Sequence, residues 1–138
     1  MPDLEHAKEL LTIAGDDLRA LRAMADDPAF STRVFGFHAQ QAAEKTLKAW
    51  LSLAGIAYPK VHDLEALFEM VVDSGQGVPP SFRALERLTD FAVQFRYSAY
   101  VDLGEDLDRA ATVSDVGALV EHVQRLAAEC ESRAEEET

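Results

Sequence analysis

The stretch Phe37-His38-Ala39-Gln40-Gln41-Ala42-Ala43-Glu44-Lys45-Thr46-Leu47-Lys48-Ala49-Trp50 constrains the fold more than any other part of the chain. Each helical residue advances about 100 degrees, so Gln40, Glu44, Lys48 and Leu51 fall on one side of a helix. Phe35, Ala39, Ala42, Thr46, Trp50 and Leu53 fall on the other. Apolar side chains occupy both sides, and such a helix is normally enclosed by other helices or by a partner subunit. The segment is therefore expected to be a central helix, and the polar groups within it need a structural or chemical reason.

The flanking sequence supplies neighbours for that helix. Leu4, Ala7, Leu11, Ala14, Leu18, Leu21 and Ala25 recur at threes and fours and predict a long first helix ended by Asp26-Asp27-Pro28, with Pro28 serving the start of the next. The second helix is expected from about Phe30 to Ala54, with Gly55 ending it in the left-handed conformation. Asp63 is placed to cap a third helix carrying Leu64, Leu67, Phe68 and Val71 and ending near Asp73. A loop over Ser74–Pro80 precedes a fourth helix marked by Leu85, Leu88, Phe91, Ala92 and Phe95, which leads into Arg96-Tyr97. Residues 98–111 read as a loop, and Thr112 or Ser114 as the cap of a last helix with core positions Val116, Leu119, Val120, Val123, Leu126 and Ala127. The fold class is all-α, an up-and-down bundle of four to five helices in a single domain, 1–138, with its core at about 3–128 and a frayed acidic tail at 129–138.

Composition narrows the function classes. The chain carries 25 acidic and 13 basic side chains, a formal charge of -12. This opposes broad attachment to DNA or to an anionic membrane, so any RNA contact requires a local basic focus. No apolar run is long enough to span a bilayer and the start lacks a basic signal-peptide region, so a cytoplasmic location is expected. The single cysteine, Cys130, excludes an intrachain disulfide and a multi-cysteine zinc site. No phosphate-cradling glycine loop, nucleophile elbow or metal-ligand spacing is present, and no metal or cofactor is expected. Asp102, Glu105, Asp106 and Asp108 do not follow the spacing of a calcium loop and read as a solvated acidic stretch.

Three blocks, Phe37 to Ala49, Lys60-Val61-His62-Asp63-Leu64 and Arg96-Tyr97, in this order and spacing resemble the HEPN family of helical domains. The resemblance runs from about Asp3 to Ala127. It implies a compact helical bundle, homodimerisation, and a minimal nucleotidyltransferase as partner, in a toxin-antitoxin-like system. Some members of that family are metal-independent ribonucleases whose signature is Arg, four to six residues, then His; others lack it and are thought to bind RNA or nucleotides. The signature is expected to begin near Arg96, but Arg96-Tyr97-Ser98-Ala99-Tyr100-Val101-Asp102 contains no His. Ser98 also stands where many relatives have proline.

Arg33 does precede His38 at the required spacing, but on one regular helix the two side chains point about 140 degrees apart. They remain the candidate catalytic pair, since metal-independent RNA cleavage needs a proton carrier near neutral pH and a cation on the phosphate. Gln40, Glu44, Lys48, His62, Arg96 and Tyr97 form the second candidate set, either a buried polar network or the lining of a ligand cleft. Glu44 and Lys48 have the favourable spacing for an ion pair. Arg96 could pair with Glu44 or fork onto a phosphate, and Tyr97 could fill the core or stack on a base. His62 is expected to hydrogen-bond to the end of the second helix or to a carboxylate. His6 and His122 read as solvated helix residues. The leading expectation is a non-catalytic nucleotide- or RNA-binding module. The alternatives are a metal-independent endoribonuclease toxin using Arg33 and His38, and a purely structural interaction partner.

Overall fold

The computed structural model describes residues 2–92 and 107–137, and every regular element among them is helical. Helix α1 spans Leu4–Met24, α2 Thr32–Leu53, α3 Leu64–Asp73 and α4 Arg109–Glu136. A 3-10 helix covers Pro80–Leu88 and passes into α-helix at residues 89–92.

The α1 stripe is buried as its spacing predicts, at Ala7, Leu11, Ala14, Leu18 and Leu21, and Asp3 caps the helix by accepting from the His6 N–H. Helix α2 begins at Thr32, not Phe30, because the Ser31 hydroxyl accepts from the Val34 N–H at 3.1 Å. Pro28 sits in the preceding turn rather than at the helix start. The α2 C-terminus closes as expected. Gly55 has φ 76°, its N–H donates to the Ser52 carbonyl, and the Ile56 N–H donates to the Leu51 carbonyl. This is the paired closure that glycine permits in the left-handed region.

Helix α2 packs against α1, α3, α4 and the 3-10 helix. Phe35, Ala39, Ala42, Ala43, Leu47, Ala49, Trp50 and Leu51 are all buried, which explains why its apolar residues wrap nearly the whole circumference. At Gly36 the approach is close enough that a β-carbon would fall 2.3 Å from the Phe91 ring. Glycine is required there by contact and not by conformation.

The later elements depart further from expectation. The fourth helix starts as 3-10 because Pro79-Pro80 opens it and its buried residues Phe82, Leu85, Leu88 and Phe91 recur at threes, matching three residues per turn. The last helix begins at Arg109, capped by Asp108 through the Ala111 N–H, not by Thr112 or Ser114; Thr112 is buried and its hydroxyl donates to the Asp108 carbonyl. The start of α4 is further fixed by Arg109, whose guanidinium donates to the carbonyls of Met24, Asp27 and Phe30 and lies 5.2 Å from the Phe35 ring centroid. At its other end α4 stays helical to Glu136, past the fraying expected from Glu129, since Glu131 meets Lys8 of α1 at 2.8 Å.

Candidate functional site

The polar residues of α2 form a connected network inside the bundle. The Gln40 side-chain amide donates to Glu44 Oε1 at 2.8 Å and to the His62 carbonyl at 3.2 Å. Lys48 Nζ donates to Glu44 Oε2 at 2.9 Å, and His62 Nδ1 lies 2.8 Å from Glu44 Oε1. One carboxylate is thus met from three sides, by its own helix and by the segment that leads into α3. The donors outweigh the cost of burial. Desolvation alone would raise the Glu44 pKa, but the hydrogen bonds from Gln40, Lys48 and His62, with the Lys48 charge, bring it below the ordinary value.

Exposure is graded across the set. Gln40 is fully buried and the Glu44 and Lys48 side chains are 6% and 12% exposed, whereas that of His62 is 41% exposed. A buried acid therefore holds a surface imidazole in place. Lys60, two residues earlier in the connection, is exposed. Asp63 accepts from the Glu65 and Ala66 N–H groups, the capping role expected of it.

The network extends along α2 through residues that spacing alone did not mark. Gln41 donates to Gln40, Lys45 donates to Gln41 at 2.9 Å, and Lys45 also lies 3.5 Å from Asp17 of α1. Asp17 Oδ1 in turn lies 3.3 Å from Nδ1 of His38. The structure thus joins His38 to a carboxylate across the α1–α2 packing. Arg33 and His38 both lie within the regular turns of α2, so the angular separation expected of them holds within the chain. Arg96 and Tyr97 lie outside the described residues.

His6 and His122 are not merely solvated. His6 Nε2 lies 2.6 Å from the Tyr58 hydroxyl, with the two rings stacked. His122 packs between Trp50 and Phe82, and burial, aided by Arg125, lowers its pKa from the ordinary 6.5. Both contacts join residues far apart in the chain, so no local spacing signals them. Among the described residues, no cluster of His, Cys, Asp or Glu could hold a metal ion, and no helix is long and apolar enough to cross a membrane.

A helical bundle built around one central helix, with a buried carboxylate fixing a histidine at the edge of the next element, defines a helical domain with a polar seam through its core. The sequence pattern of the HEPN domain matches residues 7–133, and the chain belongs to this family. The crystal structure of an archaeal HEPN homologue shares the fold, with a TM-score of 0.59 and 20% identity, covering 92% of this chain and 99% of that one. Comparison with curated proteins gives no match.

Proposed function

We propose that this HEPN domain is a non-catalytic nucleotide- or RNA-binding module whose contact edge is the outer rim of the Glu44 network. The observation that carries this reading is the His62 imidazole, fixed by Glu44 at 2.8 Å yet 41% exposed. A preorganised surface imidazole can hydrogen-bond to a phosphate oxygen or a base edge without ordering itself on binding. Exposed Lys60, two residues before His62, adds a positive charge to this edge in a chain of net charge -12. Lys48 does not supply it, because its ammonium is bound to Glu44 and nearly buried. The same acidic surface suits a basic partner protein, and a nucleotidyltransferase-type partner in a toxin-antitoxin-like system, with this domain as a homodimer, is the context that fits the family. Titration with ATP, other nucleotides and short RNAs should raise the melting temperature saturably for one of them, and His62→Ala should abolish the rise. No rise with any of them would refute the reading.

A second reading has one observation in its favour. The Asp17–His38 pair, with His38 36% exposed on its side chain, is the arrangement of an oriented acid-base imidazole. With Arg33 from a second copy on the phosphate, it would make a metal-independent ribonuclease. Degradation of RNA in chelator, lost on His38→Ala with the fold retained, would establish this alternative.

A further inference from the structure

A recess of about 370 Å³ opens where the start of α1 meets the end of α2, outside the Glu44 network. The Asp3 N–H donates to the Ser52 carbonyl at 2.8 Å, which brings the two helix ends together. The walls are Asp3, His6, Ser52, Tyr58 and the backbone around Gly55 and Ile56.

The lining side chains include one carboxylate, that of Asp3. Asp3 is exposed and spends one carboxylate oxygen on a single backbone N–H, that of His6. The Ser52 hydroxyl already donates to the Lys48 carbonyl, and the Tyr58 hydroxyl and His6 Nε2 share one hydrogen between them. Burial, together with the charges of Asp3 and Glu44, keeps Tyr58 in its neutral phenol form. Among the described residues the wall contains no Lys or Arg. The partially negative end of α2, whose last turn carries no basic side chain, meets the partially positive start of α1 here, so the two helix ends offset each other and the Asp3 carboxylate sets the charge. Lys48, 5.4 Å from the Tyr58 ring centroid, is neutralised by Glu44. Among the described residues Asp3 is the one charged carboxylate of the wall and no cationic side chain answers it, so the group that matches it is a hydrogen-bond donor with positive charge.

We infer that the recess is a binding site for a small organic amine, such as an alkyl diamine or polyamine, with one ammonium on the Asp3 carboxylate beside the Tyr58 and His6 rings. The ammonium donates to Asp3 and lies against aromatic surface, while the methylene chain covers Ile56. The overall charge of -12 adds long-range attraction for such a cation. The recess shares no lining residue with the nucleotide edge at His62, and the assignment does not rest on that edge.

The test is calorimetric titration of the full chain with putrescine and with spermidine, at an ionic strength matched by added magnesium chloride. Saturable binding at one site per chain is expected. Asp3→Asn should weaken it at least tenfold while keeping the helix cap, because asparagine caps as well as aspartate. Ala57→Lys, on the exposed connection that lines the recess, should block it with a tethered ammonium. Asp26→Asn, an exposed acid beyond the other end of α1, should leave it unchanged. Absence of saturable binding, an equal loss in Asp26→Asn, or full binding in both Asp3→Asn and Ala57→Lys would overturn the assignment.

Discussion

His62 Nδ1 lies 2.8 Å from Glu44 Oε1, so a carboxylate on the central helix fixes the imidazole at the entry to α3. The Gln40 amide reinforces this by holding the His62 carbonyl at 3.2 Å. Side chain and backbone of one residue are therefore clamped by a single turn of α2. This makes Glu44 both a brace of the bundle and the positioning residue of the proposed contact edge.

Removing the carboxylate should leave Lys48 and Gln40 without their acceptor inside the bundle. Glu44→Ala is expected to lower unfolding free energy by about 3 kcal/mol, the size of a broken, largely buried ion pair, with Glu44→Gln costing less. Urea unfolding of both variants measures this, and unchanged stability would show that the network is not a brace.

Acid should destabilise the fold in two steps. The folded pKa of His122 lies below its ordinary 6.5, so protonation favours the unfolded chain, and stability falls as pH drops through and below about 6.5. Glu44 is also depressed, below 4.5, so its contribution is fully present above that value and is lost at lower pH. His122→Phe should flatten the upper limb and Glu44→Gln the lower one in thermal melts followed across pH.

Gly36→Ala should be costly although alanine favours helix. The new methyl would fall 2.3 Å from the Phe91 ring, so the ring or the helix must move, at about 1–3 kcal/mol. Phe91→Leu should relieve much of that cost, and a double-mutant cycle on melting free energies gives the coupling.

Arg109 closes the start of α4 over the turn between α1 and α2 through three carbonyls. Arg109→Lys cannot reproduce a planar fork on three acceptors and should destabilise by about 1–3 kcal/mol, as read by chemical denaturation. A lysine variant of unchanged stability would contradict this role.

Much of this arrangement is legible in the chain itself. Gln40, Glu44 and Lys48 recur at fours, and their place on a helix with apolar residues on both sides forces them inward together. Asp63 and Gly55 announce their turns through their chemistry. What local pattern does not carry is pairing across elements. Asp17 reaches Lys45 and His38, and His6 reaches Tyr58, only because α1 lies along α2. Local chemistry does not fix the cap of α4, because Thr112 and Ser114 are as good in isolation as Asp108. Burial of Thr112 and the grip of Arg109 on the preceding turn decide between them.

On the proposed function the domain binds a nucleotide or RNA at the His62 edge without cleaving it. The most direct measurement is anisotropy of labelled nucleotides and short RNAs titrated with the protein in chelator, at about 50 and 200 mM salt, with the RNA then run on a denaturing gel. Saturable binding that His62→Ala weakens at least tenfold is expected, with a salt slope that Lys60→Ala lowers by roughly 1 and with intact RNA. No binding, binding indifferent to His62, or RNA cleavage that disappears with His38→Ala would contradict it.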